Sequence, residues 1–559
     1  MKRVVLLVIL ALFFSCKNNH EVKEDIVLWE PYNDSIEVAA NKHHQISRMQ
    51  YKLIQSKVLD KNEIFLPLYH EVSKVTAADY AKWKPFILEQ NIPAIQAHIA
   101  AGDLTYENLV LFYLYRIYTY ELNNDTTLNT ILALNKNVVE EARMKDDSLA
   151  KGYISSRHPI YGMPILLKDN IDVKGMTTTA GSIAFLNNNN VEDAFIVSQL
   201  KKNGALILGK VNLSEWAYFL CSGCPVGYSA VGGQTLNPYG RRVFETGGSS
   251  AGSATAVNAN YAVAAVGTET SGSILSPSSQ NSVVGFKPTI GLLSRSGIVP
   301  ISSTLDTPGP MTKSIVDNAI LLSAMMGKDN TDSKSIAPDF PGILSAGLHP
   351  TDFKNMRLGV FTSLLESDSI YKVTIDVLKG LGAGIFEFSP PDVQMNGFLS
   401  ILNIDMREDL PNYINSKVKN KDGVKIRSVA DAVAFNAIDS LIRIPYGQAL
   451  FDGILADTTS SEGLAIIKST LEKNGRLFFD TALDKYDLDA ILSINNYHAG
   501  YAAVAKYPAL TVPMGYKKSG EPISLTFISK QLKEVDLLRL GAAFEKITKV
   551  RKMPEAYMD

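Results

Sequence analysis

Glycines and hydroxyl side chains cluster on both sides of one short apolar run within residues 247–277. The apolar run, residues 262–266, has the length and composition of a buried strand. Glycine admits positive φ and lets backbone N–H groups approach a ligand closely. The stretch therefore predicts two loops around a strand, shaped to hold a small polar group. A flexible linker of small residues is the alternative, but a linker would not enclose an apolar strand or carry Glu269 and Ile274 among its glycines.

A serine in such a loop needs a base before it can act as a nucleophile. Histidine is the usual base, yet His158 and His349 both lie outside any glycine-rich turn. Lys168 closes the apolar run 164–167, as the last side chain of a buried strand would. A free lysine has a pKa of about 10.4, so it can act as a base at neutral pH only if burial disfavours its charged form.

The sequence carries a set of ordered motifs around these residues. They are, in chain order, Lys168-Asp169-Asn170, Gly247-Gly248-Ser249-Ser250, Gly267-Thr268-Glu269-Thr270-Ser271-Gly272-Ser273-Ile274, Gly285-Phe286-Lys287-Pro288-Thr289, Gly309-Pro310-Met311 and Pro508-Ala509-Leu510-Thr511-Val512-Pro513. With them the chain resembles the amidase signature family of Ser-Ser-Lys hydrolases, from about residue 100 onward. As a set the motifs are far more specific than any one of them.

The resemblance implies a catalytic triad. Ser273 corresponds to the nucleophile, Ser249 to the bridging serine and Lys168 to the base, and Ser273 follows Ser249 by the 24 positions that separate these serines in the family. It also implies a cis peptide bond between Gly248 and Ser249. Neutral Lys168 would take a proton from Ser249 while Ser249 takes a proton from Ser273. The Ser273 oxygen, activated in this way, would attack a carbonyl carbon.

The backbone of the loop before the nucleophile supplies the expected oxyanion hole. Its N–H groups belong to Thr270, Ser271, Gly272 and Ser273. Hydrolysis of an amide by this route requires no metal and no cofactor, so we expect neither. The expected substrate is a small-molecule or peptide amide.

The motifs depart from the commoner family pattern at four positions: Ser271 and Ala251 replace glycines, Glu269 replaces an aspartate and Leu275 replaces an arginine. Of these departures, the Gly-Thr-Glu-Thr variant followed by a residue other than glycine is similar to the sequence of bacterial peptide amidases. This similarity favours peptide C-terminal amides or acylamides over small aliphatic amides as substrates.

Two other interpretations are open. Gly248-Ser249-Ser250-Ala251-Gly252 fits the nucleophile elbow of α/β-hydrolases, which would make Ser250 the nucleophile and His498 its base in an esterase-like enzyme. A noncatalytic amide-binding lipoprotein that kept the fold is the second alternative. The esterase interpretation assigns no function to Lys168 and Ser273. The presence of all three triad residues argues against the noncatalytic lipoprotein.

The resemblance also implies the fold: an α/β protein with a single large α/β/α domain, in which helices cover a mixed central sheet. We expect a signal peptide in residues 1–15, an N-terminal tether and helical region in 16–75, and the catalytic domain in 76–559. Apolar periodicity predicts helices at 105–122, 138–144 and 369–381, and strands at 205–208, 358–361 and 385–388. Residues 404–413, with Met406, Leu410 and Tyr413, are expected to contribute to the substrate pocket.

The first residues have the form of an export signal. Lys2 and Arg3 precede an apolar run too short to span a bilayer comfortably, and Cys16 follows it. This resembles a bacterial lipoprotein signal, so we expect an exported protein, periplasmic or in the outer membrane, held to the membrane by a lipid on Cys16. A cleaved soluble periplasmic enzyme and an uncleaved anchor are the alternatives.

Charge and location exclude some partners. The chain has 55 basic and 57 acidic residues, and a net charge of -2 argues against nucleic acid. The A subunits of glutaminyl-tRNA amidotransferase share the motifs, but an exported chain would not meet charged tRNA.

Cys221 and Cys224 form a C-x-x-C pair without a second ligand pair, which is weak evidence for zinc. We expect two buried thiols there, and a disulfide is the alternative in an oxidising compartment.

Overall fold

A computed structural model describes residues 26–152, 157–338, 340, 342–344 and 352–559. The expected signal peptide and Cys16 lie outside this part of the chain. Within it, none of the helices combines the length and the apolar character that a bilayer crossing needs.

A mixed sheet of eleven strands forms the centre of the described structure, and β4 and β5 form a separate small hairpin. The strands are β1 Ile131–Leu134, β2 Pro164–Lys168, β3 Leu206–Val211, β4 Tyr228–Ser229, β5 Gly233–Gln234, β6 Ala264–Glu269, β7 Val284–Lys287, β8 Thr307–Thr312, β9 Arg357–Phe361, β10 Gly384–Phe388, β11 Ala490–Ile494, β12 Ala509–Tyr516 and β13 Pro522–Ile528. Their order across the sheet is β1-β3-β2-β6-β8-β7-β12-β13-β11-β9-β10. β2 runs parallel to both β3 and β6, whereas β6 is antiparallel to β8.

Helices flank this sheet. They are α1 Ser35–Asn41, α2 Lys61–Val72, α3 Ala77–Ile87, α4 Ile92–Ala101, α5 Tyr106–Glu121, α6 Val138–Ala150, α7 Phe195–Lys202, α8 Glu215–Tyr218, α9 Ala251–Asn258, α10 Leu275–Gln280, α11 Ile315–Met325, α12 Thr362–Ser367, α13 Ser369–Gly380, α14 Phe398–Lys417, α15 Val429–Ala437, α16 Ser440–Arg443, α17 Ala449–Ala456, α18 Ser461–Lys485, α19 Ala499–Ala505 and α20 Glu534–Thr548. The expected α/β fold with a mixed, helix-covered sheet is confirmed.

Burial explains why the central strands have their sequences. Every residue of β2 and of β6 is buried, and strands covered on both faces read as continuous apolar runs rather than as alternating ones. Each of these strands ends in a polar residue, Lys168 and Glu269, at the point where the chain leaves the sheet. The sheet thereby delivers two charged side chains into the interior.

The predicted elements are present, with shifted ends. Strand 262–266 is observed as Ala264–Glu269, because residues 261–263 still belong to the turn after α9. Thr105 caps α5 by accepting a hydrogen bond from the Asn108 N–H. The helix predicted at 138–144 continues to Ala150 through polar residues that its apolar pattern did not include. Residues 26–75 contribute Met49, Ile54 and Phe65 to the same apolar cluster as the sheet.

Candidate active site

Lys168 lies at the carboxyl end of β2 in the middle of the sheet, and its side chain is fully buried. Its Nζ lies 2.8 Å from Ser249 Oγ, 2.8 Å from Thr268 Oγ1 and 3.2 Å from the Thr268 carbonyl oxygen. Thr268 belongs to β6, which pairs with β2, so the sheet itself holds two of these three contacts in place. The base predicted from the sequence and the predicted bridging serine therefore meet directly.

Burial lowers the pKa of Lys168 to about 7, and the negative charges of Asp306 and Glu269 partly oppose this shift. At neutral pH both forms of the amine are then populated. A neutral amine has one lone pair and two N–H donors. The Thr268 carbonyl oxygen can only accept a hydrogen bond. If the two N–H groups of Lys168 donate to the carbonyl oxygen and to Oγ1 of Thr268, the Ser249 hydroxyl donates to the lone pair of the Lys168 amine. This arrangement would let Lys168 take a proton from Ser249.

The loop that carries Ser249 is tied to the loop that carries Ser273. The Ser250 N–H donates to the Ser273 carbonyl oxygen at 3.2 Å. The peptide bond between Gly248 and Ser249 is cis, as the resemblance implied. Ser249 is fully buried, whereas Ser273 keeps 9% of its surface exposed. Of the two serines, Ser273 is therefore the one that a substrate can reach.

In the described part of the chain no hydrogen bond joins the Ser249 and Ser273 hydroxyls. Catalytic hydrogen bonds are often long in an enzyme without substrate and tighten when substrate binds. The structure thus brings Lys168 and Ser249 into direct contact, and it places Ser273 on the loop that is hydrogen-bonded to the Ser249 loop.

The backbone N–H groups of the turn around Ser273 fall into two sets, one with an acceptor and one without. Glu269 Oε2 accepts the N–H groups of Ile274 and Leu275 at 2.7 and 3.0 Å. The N–H groups of Ser271, Gly272 and Ser273 have no acceptor among the described residues. Gly272 has a φ of 81°, a conformation that glycine adopts without a steric penalty. Unpaired N–H groups in such a turn are what an oxyanion hole requires.

A cavity of about 610 Å³ borders these loops. Asn170, Thr268 and Thr270 line it on the side of the triad, and Asp409, Asn412 and Tyr413 of α14 line another side. The remaining wall comes from residues 295–303, 306–308 and 331–333, with Ala217, Ser416 and Lys417. Tyr413 thus lines the pocket as expected, and Met406 and Leu410, which belong to the same apolar cluster as Tyr413, do not line it.

The elbow interpretation with Ser250 and His498 does not fit the structure. Ser250 is fully buried, and its hydroxyl donates to the Thr268 carbonyl and accepts the Thr268 N–H. His498 instead bonds Ser493 through Nδ1 at 2.6 Å and stacks on Phe361. Ser250 is hydrogen-bonded to β6, whereas His498 lies at the start of α19 and is hydrogen-bonded to Ser493. The two residues therefore have different hydrogen-bond partners.

The expectation of two free thiols is wrong: Cys221 and Cys224 form a disulfide. Gly223, at a φ of 70°, turns the chain between them and brings their Cα atoms to 5.9 Å, within the range that a disulfide spans. The described residues contain no group of three or more His, Cys, Asp or Glu side chains that could hold a metal ion.

Sequence reasoning missed two residues that complete the site. Thr268 was visible only as part of a motif, yet it contacts Lys168 twice. Asp306 lies far along the chain and accepts a hydrogen bond from Thr270 Oγ1 at 2.5 Å. An apolar strand that ends in Thr-Glu-Thr was the available signal for Thr268, and no local pattern marked Asp306.

Comparisons with known proteins show which proteins this chain is similar to. The family model described as Amidase matches residues 108–444. A probable amidase of Arabidopsis thaliana is 34% identical over 84% of this chain and 92% of its own length. The A subunit of the glutamyl-tRNA(Gln) amidotransferase of Latilactobacillus sakei is 30% identical over 83% of this chain and 97% of its own length.

Two solved structures resemble the fold closely. An amidase family protein of Bacillus anthracis has a TM-score of 0.84 and 34% identity, over 90% of this chain and 99% of its own. The native peptide amidase of Stenotrophomonas maltophilia has a TM-score of 0.77 and 34% identity, over 84% of this chain and 99% of its own.

Proposed function

The chain belongs to the amidase signature family and is an amidase, and from that premise we propose that it hydrolyses carboxylic amides through an acyl-Ser273 intermediate. The observation that carries the proposal is the buried Lys168 amine, 2.8 Å from Ser249 Oγ and with its pKa lowered to about 7. A lysine that is half neutral at physiological pH can serve as a general base.

The reaction proceeds in two halves. Ser273 attacks the amide carbon as its proton passes to Ser249 and the Ser249 proton passes to Lys168. The N–H groups of the turn before Ser273 stabilise the oxyanion, and each such donor contributes about 3 to 4 kcal/mol in known cases. The relay then runs backwards and protonates the departing amine, after which water hydrolyses the acyl-serine.

For the substrate we favour the carboxamide of a peptide C-terminus or an acylamide. The cavity volume of about 610 Å³ lies in the usual range for a ligand of peptide size. The 34% identity to a peptide amidase over 84% of the chain supports the same choice.

The proposal is tested by ammonia release from amidated peptides, acylamides and simple aliphatic amides. Lys168→Met, Ser249→Ala and Ser273→Ala should each lower kcat/KM by orders of magnitude, because removing a member of such a relay removes the activation of the nucleophile. Unchanged turnover in Ser273→Ala would favour a different nucleophile, and near-native rates in Lys168→Met would remove Lys168 from the mechanism.

We also propose that the enzyme is exported and carries a lipid on Cys16. Only the amino-acid pattern of residues 1–16 supports this. Metabolic labelling with a radioactive fatty acid, followed by cell fractionation, tests it with Cys16→Ser as the control. Label in the wild-type membrane fraction and none in Cys16→Ser supports the anchor, and unlabelled protein in both contradicts it.

A further inference from the structure

The two cationic side chains that line the cavity beside the triad are each paired with a carboxylate. Arg295 pairs with Asp332, with Nε 3.0 Å from Oδ2. Lys417 lies 3.5 Å from Glu192. Asp306 is half-buried and has no ion-pair partner among the described residues, but it accepts hydrogen bonds from Thr270, Ile301 and Ser302.

Asp409 has fewer partners than Asp306. It lies on α14, is half-buried, and lines the cavity. Among the described residues Ser303 is its hydrogen-bond partner, through the backbone N–H at 2.6 Å, and no cationic side chain pairs with it. Its neighbour Asp405, in contrast, is paired with Lys468. A half-buried carboxylate with no cationic side chain in direct contact favours the binding of a cation, and Arg295, which interacts with Asp409 at longer range, is already paired with Asp332.

Contacts through one short turn connect Asp409 with the oxyanion loop. Thr270, in that loop, donates to Asp306 Oδ1, and Asp306 Oδ2 accepts the Ser302 N–H. Ser303, the next residue, donates to Asp409. Asp409 therefore lines the same cavity as the oxyanion loop, on its α14 side, and is joined to that loop through this turn.

We propose that Asp409 determines substrate specificity by binding a cationic group, an ammonium or a guanidinium, on the acyl side of the scissile amide. The inference rests on the proposed amidase function and names its substrate class: amides of basic residues. Charge-assisted hydrogen bonds to a carboxylate are about twice as strong as neutral ones. A substrate with a cation at this position should therefore be preferred over a neutral one of the same shape.

The test compares acetylated dipeptide amides that end in arginine amide or in citrulline amide, which have nearly the same shape but differ in charge. For the wild-type enzyme we expect kcat/KM to be at least about tenfold higher for the arginine amide, mainly through KM. In Asp409→Asn the preference should fall below about twofold, because asparagine can still accept the Ser303 N–H but carries no charge. Asp409→Lys should favour glutamate amide.

Glu408→Gln is the matched control, because it removes the same charge from the adjacent, exposed position of α14. It should keep the wild-type preference. Equal kcat/KM for arginine and citrulline amides in the wild type, or a preference that survives in Asp409→Asn, would overturn the inference. Failure to hydrolyse any amide of the panel would instead contradict the proposed function. Turnover of citrulline amide by each variant shows that it is folded.

Discussion

The pH dependence of the reaction tests the neutral-lysine mechanism most sharply. With a pKa of about 7, about a tenth of Lys168 is neutral at pH 6 and about nine tenths at pH 8, so kcat/KM should rise about tenfold across this interval and level off by about pH 9. A lysine with its ordinary pKa would give a rate that still rises about tenfold per pH unit through pH 9.

The assay follows ammonia release under kcat/KM conditions from pH 5 to pH 10, with each sample returned to pH 8 to show that the enzyme survived. Asp306→Asn removes a negative charge that stabilises the charged form of Lys168. The acid limb of this variant should therefore move to lower pH. A limb that stays in place, or a rate that falls as the pH rises through 7, would refute the assignment of the base.

Protein stability offers an independent check on the same pKa. Lys168 is held at a folded pKa of about 7, below its unfolded value of 10.5. Between these values the unfolded chain binds a proton that the folded chain does not, so stability should rise with pH in that window and the contribution should be constant below it. Compared with Lys168→Met, the wild type should gain about 3 kcal/mol in unfolding free energy between pH 7 and pH 9.5. If the difference in unfolding free energy between the wild type and Lys168→Met did not change with pH in this window, Lys168 would have an ordinary lysine pKa in the folded protein.

Other predictions concern the surrounding residues. Ser250→Ala should lower the free energy of unfolding by about 1 to 3 kcal/mol, because two backbone groups lose their partner, yet it should keep kcat within about tenfold. His498→Asn should have the same two effects. If both variants lost as much kcat as Ser273→Ala, the result would favour the elbow mechanism. Glu269→Gln should lower kcat by about tenfold and the free energy of unfolding by about 1 to 2 kcal/mol, because the two charge-assisted hydrogen bonds to the turn at the nucleophile become weaker; wild-type kcat in this variant would contradict that role. Replacing Cys221 and Cys224 by serine should cost about 2 kcal/mol of stability for so short a loop, and unaltered denaturant unfolding would contradict this.

The position of the base could be predicted from the sequence because a short apolar run that ends in Lys168 has one simple structural explanation, a buried strand. Ser249 and Ser273 were recognisable because their glycine-rich motifs have few other uses. The sequence also marked α5 and β2 correctly, since hydrophobic periodicity and a threonine cap are local signals.

What could not be predicted depends on contacts between distant segments. Asp306 reaches Thr270 across 36 positions, and Asp409 reaches Ser303 across 106, and neither pairing has a local pattern. The disulfide depended on the backbone at Gly223, whose φ of 70° the C-x-x-C spacing does not reveal. Met406 and Leu410 share an apolar helix with Tyr413, and only packing decides which of them faces the cavity.

The central claim is that Ser273 becomes acylated. Rapid acid quenching of the enzyme during turnover of an acetylated peptide amide, followed by mass spectrometry of its fragments, would measure this directly. We expect the mass of the acyl group on the fragment that contains Ser273, and its absence in Ser273→Ala. An acyl group on Ser250 or Ser249 instead, or steady turnover with no acylated fragment at any quench time, would contradict the account.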